Sequence, residues 1–103
     1  MFAAIRRYEL GAGSVADVIA IVDEGLAPRL SREPGFVGYE LVAGEGQTIV
    51  SVSLFEDEQS TVRSNAIAAE FVRDRLQPFQ LNLISAMDGE IGVSRTGSDT
   101  ARG

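Results

Sequence analysis

The sequence predicts a single α+β domain in the order strand–helix–strand–strand–helix–strand, and three observations carry that prediction. Two runs rich in β-branched and aromatic residues flank Gly44-Glu45-Gly46 within residues 35–55, which is a hairpin signature. Apolar residues recur at helical spacing before this hairpin, from Val15 to Leu30, and after it, from Val62 to Leu76. Short alternating runs lie near both ends of a chain whose 103 residues suffice for one domain and not two. The combined order is the ferredoxin-like βαββαβ plan with a four-stranded antiparallel sheet. The domain is expected over residues 1–95, with a Gly/Ser/Thr-rich flexible tail over 96–103.

Taken in order, Phe2 to Tyr8 is the first strand, with Phe2, Ala4, Arg6 and Tyr8 on one face and Ala3, Ile5 and Arg7 on the other. Ser14 is suited to cap the first helix, with Asp17 three residues on. Val15, Val18, Ile19, Val22, Leu26 and Leu30 form its apolar stripe, and Gly25 and Pro28 predict a bend in a helix from about Ser14 to about Arg32. Pro34-Gly35 launches the hairpin, and Gly44 and Gly46 can both supply the positive φ of its turn. Glu56-Asp57-Glu58 suits a helix N-terminus, with Asp57 or Ser60 as the cap. Val62, Ala66, Ala69, Val72 and Leu76 make the second stripe, flanked by Ile67 and Phe71, and Pro78 predicts a stop after it. Gln80 to Asp88 reads as a packed loop or a strand start, and Gly89 to Arg95 as the last strand.

The hairpin sets up an argument about both faces of the sheet. Thr48, Val50, Val52 and Leu54 read as one buried face. The alternating set Ile49, Ser51, Ser53 and Phe55 is still too apolar to face water. Two helices cover one face of such a sheet, so a second copy of the chain is the expected cover for the other.

Composition removes several function classes. The net charge of −6 disfavours nucleic acid and anionic lipid as partners. With no cysteine and no histidine, disulfides, thiolate chemistry, the commonest metal ligand and the commonest general base are absent. All nine basic residues are arginine, so no lysine Schiff base can form. No apolar run approaches the ~20 residues of a membrane span, and the N-terminus lacks the order of a signal peptide, so a cytoplasmic protein is expected.

Few residues carry chemistry. Arg6 and Tyr39 are strand positions that can face a cavity between sheet and helices, where an Arg holds an anionic oxygen and a Tyr donates a proton; Tyr8 shares the face of Arg6. Solvent for the arginine and a subunit interface for the tyrosines are the plainer alternatives. Glu40 and Glu90 are the strand carboxylates, each either a buried base or a solvated or paired group. Arg63 is placed to pair with Asp57 or Glu70, and such an exposed pair contributes little. Gly11-Ala12-Gly13 lacks the rest of any phosphate-loop pattern and reads as a turn.

Several segments also resemble a known family. Gly25-Leu26-Ala27-Pro28-Arg29-Leu30 followed by Glu33-Pro34-Gly35-Phe36-Val37-Gly38-Tyr39 is similar to the antibiotic biosynthesis monooxygenase domain. So are Val52-Ser53-Leu54-Phe55-Glu56-Asp57 ahead of a helix carrying Arg63-Ser64-Asn65-Ala66, and the closing Gly89-Glu90-Ile91-Gly92-Val93. The resemblance spans roughly residues 2–95 and implies a dimeric α+β barrel, two sheets packed face to face with helices outside. It implies a relationship to cofactor-free oxidases of polyphenolic substrates and to haem-degrading enzymes. Monooxygenases of the family carry an Asn on the second helix and a Trp one turn later; Asn65 matches the first, and Ala69 stands in place of the second. Haem-degrading members use an axial His, which this chain lacks, so haem degradation is disfavoured.

Two functions follow as expectations. One is a cofactor-independent monooxygenase acting on an aromatic or polyketide-like molecule, with Asn65, Tyr39 and Arg6 as its site and no metal or cofactor. The other is a non-catalytic dimer that holds a small apolar ligand or serves as a stress-associated protein. A cavity of roughly a few hundred Å³ lined by Asn65 and a tyrosine would favour ligand binding.

Overall fold

Strand β1 (Phe2–Leu10) opens the chain in the computed structural model, which describes residues 1–97. Helices α1 (Val15–Glu24) and α2 (Leu26–Ser31), strands β2 (Phe36–Ala43) and β3 (Thr48–Phe55), helix α3 (Glu58–Arg75), a 3₁₀ turn (Gln77–Phe79) and strand β4 (Leu81–Glu90) follow. The strands form one antiparallel sheet in the order β2-β3-β1-β4, so the fold is ferredoxin-like α+β with its first helix in two pieces. Most of the expected tail, residues 98–103, lies outside the described residues.

Local chemistry explains where the elements begin and end. The Ser14 hydroxyl accepts the Asp17 backbone N–H at 3.1 Å and starts α1. Gly25 ends it because α3 presses on that point: a Cβ there would stand 2.6 Å from the Phe71 ring. Pro28 lies in the first turn of α2, where its missing N–H is not needed. Gly35, at φ +81°, turns the chain into β2, and its carbonyl accepts the Glu56 N–H at 2.8 Å. In the hairpin turn only Gly46 takes a positive φ (+63°), not Gly44. Asp57, not Ser60, caps α3, its carboxylate accepting the Ser60 N–H at 2.7 Å.

Helices α1, α2 and α3 lie on one face of the sheet, over a core of Leu10, Val18, Val22, Leu26, Leu30, Ile49, Phe71 and Leu76. That face carries the serine-containing set of β3, and the Val/Leu set lies on the opposite face. Ile49, Ser53 and Phe55 are buried, whereas Val50, Val52 and Leu54 on the outer face are half-buried. Serines fit beneath the helices because their small side chains leave room over the middle of the sheet. Helix α3 also departs from expectation: Val62 is 61% exposed, and Ser60, Thr61 and Ser64 are the buried residues of its first turns. The last two hydroxyls are satisfied within the helix, Thr61 donating to the Asp57 carbonyl at 2.9 Å and Ser64 to that of Thr61 at 2.7 Å.

The last strand is Leu81–Glu90, not the expected 89–95. Its pairing with β1 slips between Arg7 and Tyr8, so Tyr8 faces Leu83 and Arg7 faces Ser85, with Ile84 as the extra residue. The bulge moves the inward positions from odd numbers (Leu81, Leu83) to even ones (Ala86, Asp88), which erases a simple period of two.

Candidate functional site

A cavity of about 260 Å³ lies between the sheet and the helices. Its two walls differ in character. The helix wall is Val22 and Leu26 from α1 and α2, with Ala68, Ala69 and Val72 from α3. The sheet wall is Ala4, Arg6 and Tyr8 of β1, Tyr39 and Leu41 of β2, Ile49, Ser51 and Ser53 of β3, and Leu81 and Leu83 of β4. Asn65 of α3 lines it too, so Arg6, Tyr39 and Asn65, singled out from sequence, all border one space. A second pocket of about 200 Å³ adjoins it, sharing Val22, Tyr39 and Leu41 and adding Ile19, Asp23 and Ala27.

The polar geometry centres on Asp88, which sequence reasoning did not single out. Its carboxylate accepts two hydrogen bonds from the Arg6 guanidinium, at 2.6 and 3.3 Å, and one from the Asn65 amide at 2.8 Å. Arg6 also donates to the Ile5 carbonyl at 3.0 Å. Asp88 reaches both partners because it pairs with Ala4 on the helix-facing side of β4. The Arg6 hydrogen bonds hold the Asp88 carboxyl below its ordinary value, partial burial opposes this, and the charge of Arg6 and the Asn65 amide add to the lowering. Arg6 is thus paired, not solvated, and Asn65 reaches across to the sheet instead of bonding its own helix.

Both tyrosines face the cavity. Burial pushes the Tyr39 phenol up to about 12, with the Tyr8 phenol adding to the rise. Burial also raises Tyr8, against a lowering by Arg6. The two are therefore neutral phenols at physiological pH, able to donate and accept hydrogen bonds. Glu40 and Glu90 are exposed and line neither pocket. Arg63 pairs at 3.3 Å with Glu33, not with Asp57 or Glu70, and Glu70 is taken by Arg29 at 3.2 Å. Among the described residues no group of His, Cys, Asp and Glu could hold a metal ion, and no helix is long and apolar enough to cross a membrane.

The sequence profile described as "Antibiotic biosynthesis monooxygenase" matches residues 1–69. Among solved structures, the chain is similar to SnoaB from Streptomyces nogalater, a cofactor-independent oxygenase, with 18% identity, a TM-score of 0.62, and coverage of 93% of this chain and 95% of that one. A dimeric ferredoxin-like protein from an uncultured marine organism matches with 17% identity, a TM-score of 0.69, and coverage of 93% and 99%. A point mutant of MhuD, solved with two manganese protoporphyrin IX molecules per active site, matches with 18% identity, a TM-score of 0.69, and coverage of 94% and 100%. One further match is longer, this chain spanning 65% of it. At these identities the likeness is one of fold. None of the proteins of curated function matches the chain.

Proposed function

Because this chain belongs to the antibiotic biosynthesis monooxygenase family, we propose that it binds a small aromatic or polyketide-like molecule in the sheet–helix cavity and oxygenates it without a cofactor. The observation that carries this reading is the meeting of Arg6, Tyr39 and Asn65, joined by Tyr8, around one largely apolar space. Oxygen chemistry without a cofactor requires the substrate's own anion to reduce O₂. The apolar helix wall would keep water away from that anion. Asn65 would orient the substrate hydroxyl before it ionises, Tyr39 would donate a hydrogen bond to the resulting oxygen, and Arg6, paired with Asp88, would border it.

The donor set does not suit haem. Its usual protein ligands are His, Cys, Met and Tyr. The chain has no His or Cys, neither of its two methionines lines the cavity, and the two tyrosines there are held protonated by burial.

A second reading, a binding protein without turnover, draws on one observation. No side chain lining the cavity is a ready base: its one charged residue is a cation, and both phenols are shifted upward. The two readings part in an oxygen-uptake assay on anthrone-like and naphthol-like phenols. Oxygenation requires uptake by the wild type and a loss of about ten- to a hundredfold in Asn65→Ala. Phenols that bind without any oxygen uptake would replace the oxygenase with the binding protein.

The family resemblance and the apolar outer face of the sheet also support a homodimer. Ile5, Val50, Val52 and Leu54 there are only half-buried, and Val42 and Met87 are 48% and 66% exposed.

A further inference from the structure

The cavity's cation is already paired. Among the described residues Arg6 is the only charged one lining it, and its guanidinium is held by the Asp88 carboxylate at 2.6 and 3.3 Å. The arginine side chain is 19% exposed and the aspartate 42%, so the cation is the more buried member of the pair. An anionic ligand drawn to the remaining N–H donors of Arg6 would meet a cation whose charge Asp88 already offsets, near a carboxylate that Asn65 also holds, at 2.8 Å. Asp23 on the adjoining pocket and the net charge of −6 also oppose an anion.

The same carboxylate sets the Asn65 amide. An ionised carboxylate only accepts, so it must face the Asn65 NH₂ group, as the Nδ2–Oδ2 contact of 2.8 Å requires. Oδ1 of Asn65, which accepts no hydrogen bond among the described residues, is left as the acceptor that this cavity-lining side chain can offer. A ligand hydroxyl can donate to that oxygen, whereas a ligand carboxylate cannot.

We propose that Asp88 is a positioning residue that makes the cavity select an uncharged, hydroxyl-bearing aromatic ligand over a carboxylate of the same shape. It does so by neutralising Arg6 and by turning the Asn65 amide so that its carbonyl serves the ligand. This inference rests on the reading of the cavity as a ligand site, and the experiment separates the two.

Calorimetric titration of 1-naphthol and 1-naphthoate at neutral pH into wild type, Asp88→Asn and Asp88→Ala is the test. Wild type should bind 1-naphthol at least about tenfold more tightly than 1-naphthoate. Asp88→Asn, nearly the same shape but uncharged, should tighten 1-naphthoate about tenfold or more while changing 1-naphthol by less than about threefold. Asp88→Ala, which also releases the Asn65 amide, should tighten 1-naphthoate and weaken 1-naphthol by about fivefold. A role confined to stability would weaken both probes together, and that outcome overturns the proposal. So does a naphthol-to-naphthoate preference that stays the same in the variants. Wild type that takes up neither probe removes the ligand site itself, and the role of Asp88 with it; wild type that binds both equally removes only the latter.

Discussion

Tyr39 is held where ionisation is opposed by burial first and by its neighbour Tyr8 second. Its phenol is raised from 10.0 to about 12, so the folded protein keeps this proton longer than the unfolded chain does. The sign follows. Stability that depends on the neutral phenol is fully present below pH 10 and is lost as the pH climbs toward 12, because the unfolded chain ionises first. Denaturant midpoints measured across that window should fall for wild type and flatten in Tyr39→Phe. Equal slopes in the two proteins would show that Tyr39 titrates as a free phenol. At this scale the sequence was informative but incomplete. Arg6, Tyr39 and Asn65 were recognisable as polar side chains set among apolar ones, and they line one cavity. Asp88 was not recognisable, because it lies beyond the bulge at Ile84, where the alternation that would have placed it on the inner face changes phase.

The break between α1 and α2 shows how one element dictates another's shape. Gly25 and Pro28 signal the bend in the sequence, and the packing of α3 explains why a glycine is needed there: a Cβ at Gly25 would lie 2.6 and 2.8 Å from two carbons of the Phe71 ring. Phe71 is itself only 5% exposed and has little room to retreat. Gly25→Ala is expected to lower stability by about 1–3 kcal/mol, the usual range for overpacking. The denaturant midpoint reads this directly; an unchanged midpoint would mean that α3 moves aside without penalty. The hairpin and both N-caps were legible because their residues act over three or four positions, as Ser14 on Asp17 and Asp57 on Ser60 do. Strand β4 was not, because its limits depend on pairing with β1, a partner far away in sequence. Which set of β3 faces the helices was not legible for a related reason. Both sets are apolar enough for burial, and the space that the small Ser51 and Ser53 leave beneath α3 is apparent only once the helix lies over them.

For the whole molecule, the sheet is a wall with two tasks. Its helix side carries the cavity, with Arg6, Tyr8, Tyr39, Ser51 and Ser53 pointing in. Its outer side presents Ile5 against Val52 and Met87, with Val50 and Leu54 on either side of Val52 along β3. Among the described residues, helices α1, α2 and α3 lie on the cavity side, so none of them covers these residues. An apolar face of this kind is suited to association, and the proposed homodimer would set the same face of a second copy against it. Val52 lies at the middle of that face, between Ile5 on β1 and Glu40 on β2. Sedimentation equilibrium of wild type beside Val52→Asp tests this most directly. Wild type should sediment as a dimer at micromolar concentration, and the aspartate, which would bring two carboxylates into the joint, should shift it to a folded monomer. A wild-type protein that stays monomeric and stably folded across the concentration range, or a Val52→Asp protein that remains fully dimeric, would contradict the two-sided role of the sheet.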